Sequence, residues 1–296
     1  VANAQSHRRL LLLPAQGGGK SAHFSGIITQ KMKFPNNPIC ILGAGELASG
    51  VALRLWRAGF PVWMTDLPKP LAIRRTVSFS EAIYNGQTRV EEITAQRLED
   101  PTAIPQLWAA GHLPVLVDET ASSLEVQQAA VLIDARMAKR NLGIRRGLAP
   151  LVLALGPGFY AGQDADAIIE TNRGHFLGRV LWQGCAEADT GTPGEMSGLR
   201  SERVLYSPCA GVVTSSLQIG DRISLGQTIA WVDETPVISR ISGVLRGLIH
   251  PGLHLPAQVK LADVDPRSNP AYCHTVSDKA LAIGGGALEA VLHARP

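Results

Sequence analysis

The sequence predicts an α/β fold, a parallel-sheet domain followed by a small duplicated β module. Three observations predict it. Apolar runs of strand length alternate with helical periods between residues 38 and 182. A glycine-rich turn joins the first such strand to the first helix. Between residues 211 and 264 the chain repeats itself at a constant offset of 32.

The stretch Pro38–Asp66 organises the first domain. Pro38 to Leu42 is an apolar strand, followed by Gly43-Ala44-Gly45-Glu46-Leu47-Ala48. A helix with Leu47, Val51 and Leu55 on one face comes next, and then Val62 to Asp66, a second strand ending on an acid. Gly43 lets the chain turn out of the strand. Gly45 has no Cβ and lets backbone approach a phosphate. Ala48 is small enough for helix to lie on strand, and the amides at the helix start, Glu46 and Leu47 included, face an anion. Asp66 stands 21 residues after Gly45, where an acid takes a ribose hydroxyl. Strand, turn, helix, strand and acid in this order read as a Rossmann-like, nucleotide-binding unit.

Further along, Ser80 to Tyr84 reads as a short helix and Val90 to Ala95 as one strand. Ile104 to Ala110 and Leu124 to Ala130 read as helices, and Pro114–Asp118, Val131–Asp134 and Pro150–Gly156 as buried strands. Asp66, Asp118 and Asp134 close three of these strands, at the edge where open α/β sheets bind ligands; helix capping is the competing role for such acids. Arg74 and Arg75 follow the second strand as anion contacts. Lys139, with Arg140, Arg145 and Arg146, precedes a strand that runs into Gly156-Pro157-Gly158, which suits an anionic group equally well as a tight turn. Residues 167–171 and 178–182 read as strands, and 184–198 as a loop or linker.

In the third region Gly211/Gly243, Val212/Val244, Gly220/Gly252, Ala230/Ala262 and Val232/Val264 are identical pairs. Two interlocked β repeats result, and they resemble the barrel-sandwich hybrid of biotinyl and lipoyl domains. Such carriers need a lysine at the hairpin between the halves. Here it reads Asp233-Glu234-Thr235-Pro236-Val237, with no lysine from 141 to 259, so the module is expected to be unmodified. His250 and His254 flank Pro251-Gly252, which prevents a helical metal pair, and no metal site is assigned. In the tail Ser277 caps a helix that contains Gly284-Gly285-Gly286. Three glycines in a helix imply close approach of a backbone or ligand, or else a break.

The chain has 296 residues, with 45% hydrophobic and 18% charged, an ordinary globular composition. Its net charge of +3 arises in residues 1–31, which hold four basic residues and no acid; the rest holds 24 basic against 25 acidic residues. No nucleic-acid surface is inferred, and no apolar run approaches a membrane span. Residues 1–31 read as a disordered leader or an extension foreign to the natural chain. Four scattered cysteines without Cys-x-x-Cys suit a reducing cytoplasm. Of these, Cys273, beside His274 and ahead of Ser277, is the candidate for a reactive thiolate.

Six segments together resemble one family: residues 43–50, 69–79, 134–141, 155–159, 169–175 and 276–280, which include Gly43-Ala44-Gly45-Glu46, Asp134-Ala135-Arg136-Met137-Ala138-Lys139, Gly156-Pro157-Gly158 and Glu170-Thr171-Asn172-Arg173. They are similar to YqeB-type accessory proteins of selenium-dependent molybdenum hydroxylases, described as related to XdhC-type maturation factors. The resemblance covers about 34–293. It implies a cytoplasmic role in preparing or inserting a molybdenum cofactor, with the hydroxylase apoenzyme as partner; a homo-oligomer stays open. The expected ligand is a nucleotide or dinucleotide, NAD(P) or molybdopterin dinucleotide. An NAD(P)-dependent oxidoreductase and a non-catalytic docking scaffold are the alternatives. The expected domains are the leader 1–31, a nucleotide-binding domain with linker 34–200, the duplicated module 201–266 and a helical segment 267–296.

Overall fold

The computed structural model describes residues 32–191, 198–199 and 201–294; the leader reading of 1–31 and much of the linker reading of 184–198 fall outside them. The fold is mixed α/β. Its large sheet contains β1 Ile39–Leu42, β2 Val62–Asp66, β3 Gln87–Val90, β4 Ile93–Leu98, β5 Leu113–Val117, β6 Val131–Asp134, β7 Leu151–Leu155, β8 Ala167–Ile169 and β9 Val180–Leu181. Their order is β3-β4-β5-β2-β1-β6-β7-β8-β9. The strands from β4 to β8 in that order pair in parallel, and β3 and β9 close the two edges antiparallel. The strand order reverses between β1 and β6, which leaves a crevice at their carboxyl ends.

Both faces are covered, which is why the strands read as unbroken apolar runs. Ile39 and Ile41 point to the face packed by α1 (Glu46–Ala58) and the last helix. Cys40 and Leu42 point to the other, toward Trp63, Ile104 and Phe159. The single strand expected over Val90–Ala95 is a hairpin. Glu91 takes a left-handed φ of 52° and the strand folds back at Glu91-Glu92. Arg57 of α1 binds both glutamates at 2.5–2.7 Å, so the turn is held from below. The short helices are α2 Glu81–Asn85, α3 Ile104–Ala109 and α4 Ser123–Val126.

The second unit comprises β10 Val204–Tyr206, β11 Gly211–Thr214, β12 Arg222–Ile223, β13 Thr228–Val232, β14 Thr235–Ile238, β15 Gly243–Leu248, β16 His254–Leu255 and β17 Lys260–Asp265. Two four-stranded sheets, β10-β17-β15-β12 and β14-β13-β11-β16, enclose a core of Val213, Ile229, Leu245 and Leu261 with their neighbours. The expected interlocking is present: β12 of the first repeat pairs with β15, and β16 of the second pairs with β11. After α5 (Ala271–His274) the chain returns to the first domain as α6, Asp278–Ala294.

The triple glycine does not break α6. It permits contact. A Cβ on Gly284 would stand 2.6 Å from the Gly50 carbonyl oxygen of α1, and one on Gly286 would overlap the Gly178 carbonyl oxygen. Gly285 faces open space. Ser277 caps the helix, its Oγ accepting from Ala280 N at 3.3 Å. We therefore expect Gly285→Ala to stabilise the protein by about 1 kcal/mol, the ordinary helix-propensity gain. Gly286→Ala should destabilise it by about 1–3 kcal/mol, the cost of overpacking. Urea titrations of the two variants check this, and equal effects would refute the contact assignment.

Arg173 donates to both carboxylate oxygens of Asp278 at 2.9 and 3.0 Å, tying the loop after β8 to the start of α6. That bond holds the Asp278 carboxyl at about 2, below the ordinary 3.8. A lowered carboxyl stabilises the fold above its unfolded value and loses that contribution as pH falls through the folded one. The stability gap between the parent chain and Asp278→Asn should be present at neutral pH and close between about pH 4 and pH 2. It should be small, because the pair is well exposed to solvent. Chemical denaturation across that range measures it.

Candidate functional site

The turn after β1 lies at the crevice. Gly43 takes a φ of 96° that its bend requires, with its N–H donated to Thr65 O at 2.7 Å. Ala44 N donates to Asp66 Oδ2 at 2.8 Å, so the acid at the end of β2 closes the turn. The next four amides, Gly45 to Ala48, have no protein partner among the described residues, and the first donor engaged is Ser49 N, to Gly45 O at 2.8 Å. Nothing lies within 4 Å of where a Gly45 Cβ would be. These amides open into a cleft of about 640 Å³ lined by Gly43, Gly45, Asp66, Leu71, Asp118 and Arg136, among others. Leu67 and Leu71, both exposed, form an apolar wall beside Asp66.

Of the acids around this turn, Glu46 and Asp134 are paired with arginines, and Asp66 and Asp118 are held by backbone amides. Asp66 accepts from Ala44 N and Leu67 N; burial pushes its carboxyl up against those two bonds. Each oxygen keeps a lone pair for a hydroxyl donor. Asp134, buried, grips Arg136 through Nε at 3.0 Å and Nη2 at 2.5 Å and presents that guanidinium to the cleft. Glu46, in the first turn of α1, would repel an anion. The buried Arg74 neutralises it at 2.8 Å and also donates to the carbonyls of Tyr272 and Thr275. Asp118 is a cap: it accepts from Ser122 N and Ser123 N, and these bonds outweigh the burial that would raise its carboxyl.

Other expected residues lie apart from the turn. Arg75 spans the two units, donating to Leu248 O at 2.7 Å and pairing with Glu81. Gly156 and Gly158 make room for neighbours, the Thr171 side chain and the Lys139–Arg140 backbone respectively. Lys139 pairs with Asp189 at 2.5 Å on the wall of a second cleft of about 370 Å³ between the two units. Glu46, Leu47 and Met137 line both clefts, which therefore adjoin at the start of α1.

Over 266 residues the chain is 44% identical to the uncharacterized protein YqeB of Escherichia coli (strain K12), a match covering 88% of this chain. The chain is a homologue of YqeB. It spans about half, 49%, of that curated relative's length. No protein-family model matches the chain. A succinylglutamate desuccinylase/aspartoacylase from Rhodobacter sphaeroides superposes with a TM-score of 0.25 at 13% identity, covering 77% of this chain and 84% of that one. An aspartoacylase family protein from Mesorhizobium loti gives 0.24 at 11% identity, with the same coverage. Scores of this size do not relate one fold to another.

The YqeB-like segments 43–50 and 134–141 meet at the first cleft, since a Gly43 Cβ would touch the backbone of Ala135 and Arg136. Arg136 is the site residue the sequence reading passed over; its signal was Asp134 two residues before it. The expectation of a reactive Cys273 is corrected. It is fully buried, with Sγ 3.7 Å from Leu245 O, and burial raises its thiol despite Arg74 and Arg246 nearby. Desolvation outweighs the cations, so no ready thiolate forms. His250 stacks on Tyr84 at 4.0 Å, and no three His, Cys, Asp or Glu side chains among the described residues converge as metal ligands. The exposed Cys185 should be alkylated at the rate of a free thiol. Cys273 should react at least about a hundredfold more slowly in the folded chain, its thiolate being disfavoured by burial. Peptide mapping after timed iodoacetamide exposure reads this, and comparable rates would restore the reactive thiol.

Proposed function

We propose that the chain binds a nucleotide-bearing ligand at the Gly43–Ala48 turn of a Rossmann-like domain and serves as an accessory protein in maturation of a selenium-dependent molybdenum hydroxylase. One observation carries the binding reading. Four successive amides without protein partners among the described residues open into a cleft at the reversal of strand order, with Asp66 at its rim. The phosphate occupies the amides, and a ribose hydroxyl donates to Asp66. Leu67 and Leu71 offer a base its apolar wall. The ligand is a nucleotide or a dinucleotide, with NAD(P) and molybdopterin dinucleotide as the candidates.

The maturation role rests on the six YqeB-like segments, and its partner is the hydroxylase apoenzyme in the cytoplasm. The duplicated module, similar to a barrel-sandwich hybrid, carries Asp233-Glu234 at its hairpin and acts in docking, not as an acyl or biotin carrier. A dehydrogenase is less well supported. Among the described residues the charged groups lining the cleft at the turn are carboxylates and one arginine, with no histidine, tyrosine or lysine to handle the proton of a hydride transfer.

Gly45→Leu tests the site. The backbone φ there is −69° and the space beyond is empty, so the variant folds and its side chain fills the phosphate seat. We expect at least about a tenfold loss of affinity for adenine nucleotides, the worth of roughly one charge-assisted hydrogen bond. Calorimetry with ADP and NAD on both proteins decides it; unchanged binding would refute the assignment.

A further inference from the structure

The cleft between the two units holds an arrangement that the nucleotide reading leaves unexplained. Arg246 of β15 is 94% buried by its 6% exposure, yet its guanidinium makes no hydrogen bond to the described protein; its nearest carboxylate, on Asp265, is 3.7 Å away. Asp265 is itself engaged by Arg267, through Nη2 at 2.6 Å and Nε at 3.0 Å. A buried cation left without hydrogen bonds is costly and uncommon. Two more cations on the same wall, Lys260 and Lys279, have no protein partner among the described residues. Most nearby acids are paired with cations, Glu46 with Arg74, Asp263 with Arg203, Asp189 with Lys139 and Asp278 with Arg173, while Glu187 on the same wall accepts from the Asn172 amide.

The backbone is shaped to present these groups. The β15–β17 ladder shifts register between Leu245 and Gly247, around Arg246. The β10–β17 ladder shifts beside Lys260, where Tyr206 pairs with it. Bulges of this kind re-aim side chains and gather next to functional sites. The internal repeat points the same way. At the offset of 32, Arg246 aligns with Thr214 and Lys260 with Thr228, so the second copy carries cations on the cleft wall where the first carries threonines. Lys260 is exposed at the cleft and Lys279 half-buried; the surrounding protein lowers the proton affinity of both, Arg173 adding to this at Lys279 and Asp263 opposing it at Lys260.

We propose that Arg246, Lys260 and Lys279 form a second anion site that takes a phosphoryl group of at least two negative charges. It stands on these residues alone and does not require the nucleotide reading. Because the clefts adjoin at Glu46 and Leu47, that group belongs to the distal half of a dinucleotide or to a separate phosphorylated molecule. The shared chemistry is the phosphate.

Calorimetry of the full chain with inorganic pyrophosphate, at low and high salt, tests the site. Salt-sensitive binding is expected, weakened at least about tenfold in Lys260→Gln/Lys279→Gln, as loss of charge-assisted contacts requires. Arg246→Met supplies a readout that a structural arginine would not give. Removing a buried charge that makes no hydrogen bond, and whose partner Asp265 keeps Arg267, should leave the thermal midpoint of the ligand-free protein equal or higher, while pyrophosphate no longer raises it. Gly45→Leu should lose ADP and keep pyrophosphate. Tighter binding of a dinucleotide than of ADP in the parent chain, lost in the lysine double variant, would assign the phosphate to one spanning ligand. Equal affinity for both, with pyrophosphate still bound, would assign it to a separate molecule. Absence of pyrophosphate binding, undiminished binding in the double variant, or a lowered midpoint in Arg246→Met would overturn the site. Pyrophosphate binding without any nucleotide binding would overturn the proposed function and leave this site standing.

Discussion

The two clefts depend on how closely α6 lies against α1. Gly50 gives way to Ala280 and Gly284, and Gly178 to Gly286, so backbone meets backbone where ordinary side chains would hold the helices farther apart. Dispersion and exclusion of water act over the whole seam, through Val51, Leu55, Ile283 and Ala287. Glu46 and Leu47 at the start of α1 and Ser277 and Lys279 at the start of α6 line one cleft, so both helices begin at the same sheet edge. Their positive dipole ends then face one space, and an anion there feels both. A residue with a larger side chain at Gly50 would separate the helices and spoil both clefts together.

Electrostatics makes that edge usable. A carboxylate in the first turn of α1 is favourable for the helix and unfavourable for an anionic ligand. Arg74 resolves the conflict by pairing with Glu46, and its other donors hold Tyr272 and Thr275 just before α6. One buried guanidinium thus neutralises the site and fixes the returning chain. Breaking such a pair from one side strands a buried charge, at roughly 3–5 kcal/mol. Arg75, beside it, reaches Leu248 O, and Ile73 O accepts from Leu248 N at 2.8 Å, so residues 73–75 also seat the β module. Two arginines that read as anion contacts in the sequence are instead the joint between the units.

What was legible follows from how local each signal is. Strand, glycine turn and helix over 38–66 are specified by neighbours in sequence, and they fold as read. The repeat was legible because two copies check each other. The hairpin at Glu91-Glu92 was not, since Val90 and Ile93 to Ala95 look like one alternating strand and the turn is held by Arg57, far away in sequence. The same limit hid the burial of Cys273. His274, Ser277 and Lys279 suggest an accessible thiolate, yet the residue packs under Leu245 of the β module. Arg246 was hidden as well: in sequence it is one polar position inside a strand whose six residues are all buried.

The repeat also shows where function resides in a symmetric unit. Asp233 and Asp265 occupy equivalent positions, 32 apart. Asp233 caps an exposed hairpin, accepting from Val212 N at 2.9 Å. Asp265 is buried, clamps Arg267 and lies beside Arg246. The identical residue does different work because only the second copy is covered by the α/β domain. Conserved pairs such as Gly211/Gly243 and Val232/Val264 serve turns and core, which both copies need alike. Two of the many positions where the copies differ, Thr214 against Arg246 and Thr228 against Lys260, put cations on the second copy's wall of the cleft between the units. At these two positions the difference between the copies falls on the face of the module that meets the cleft.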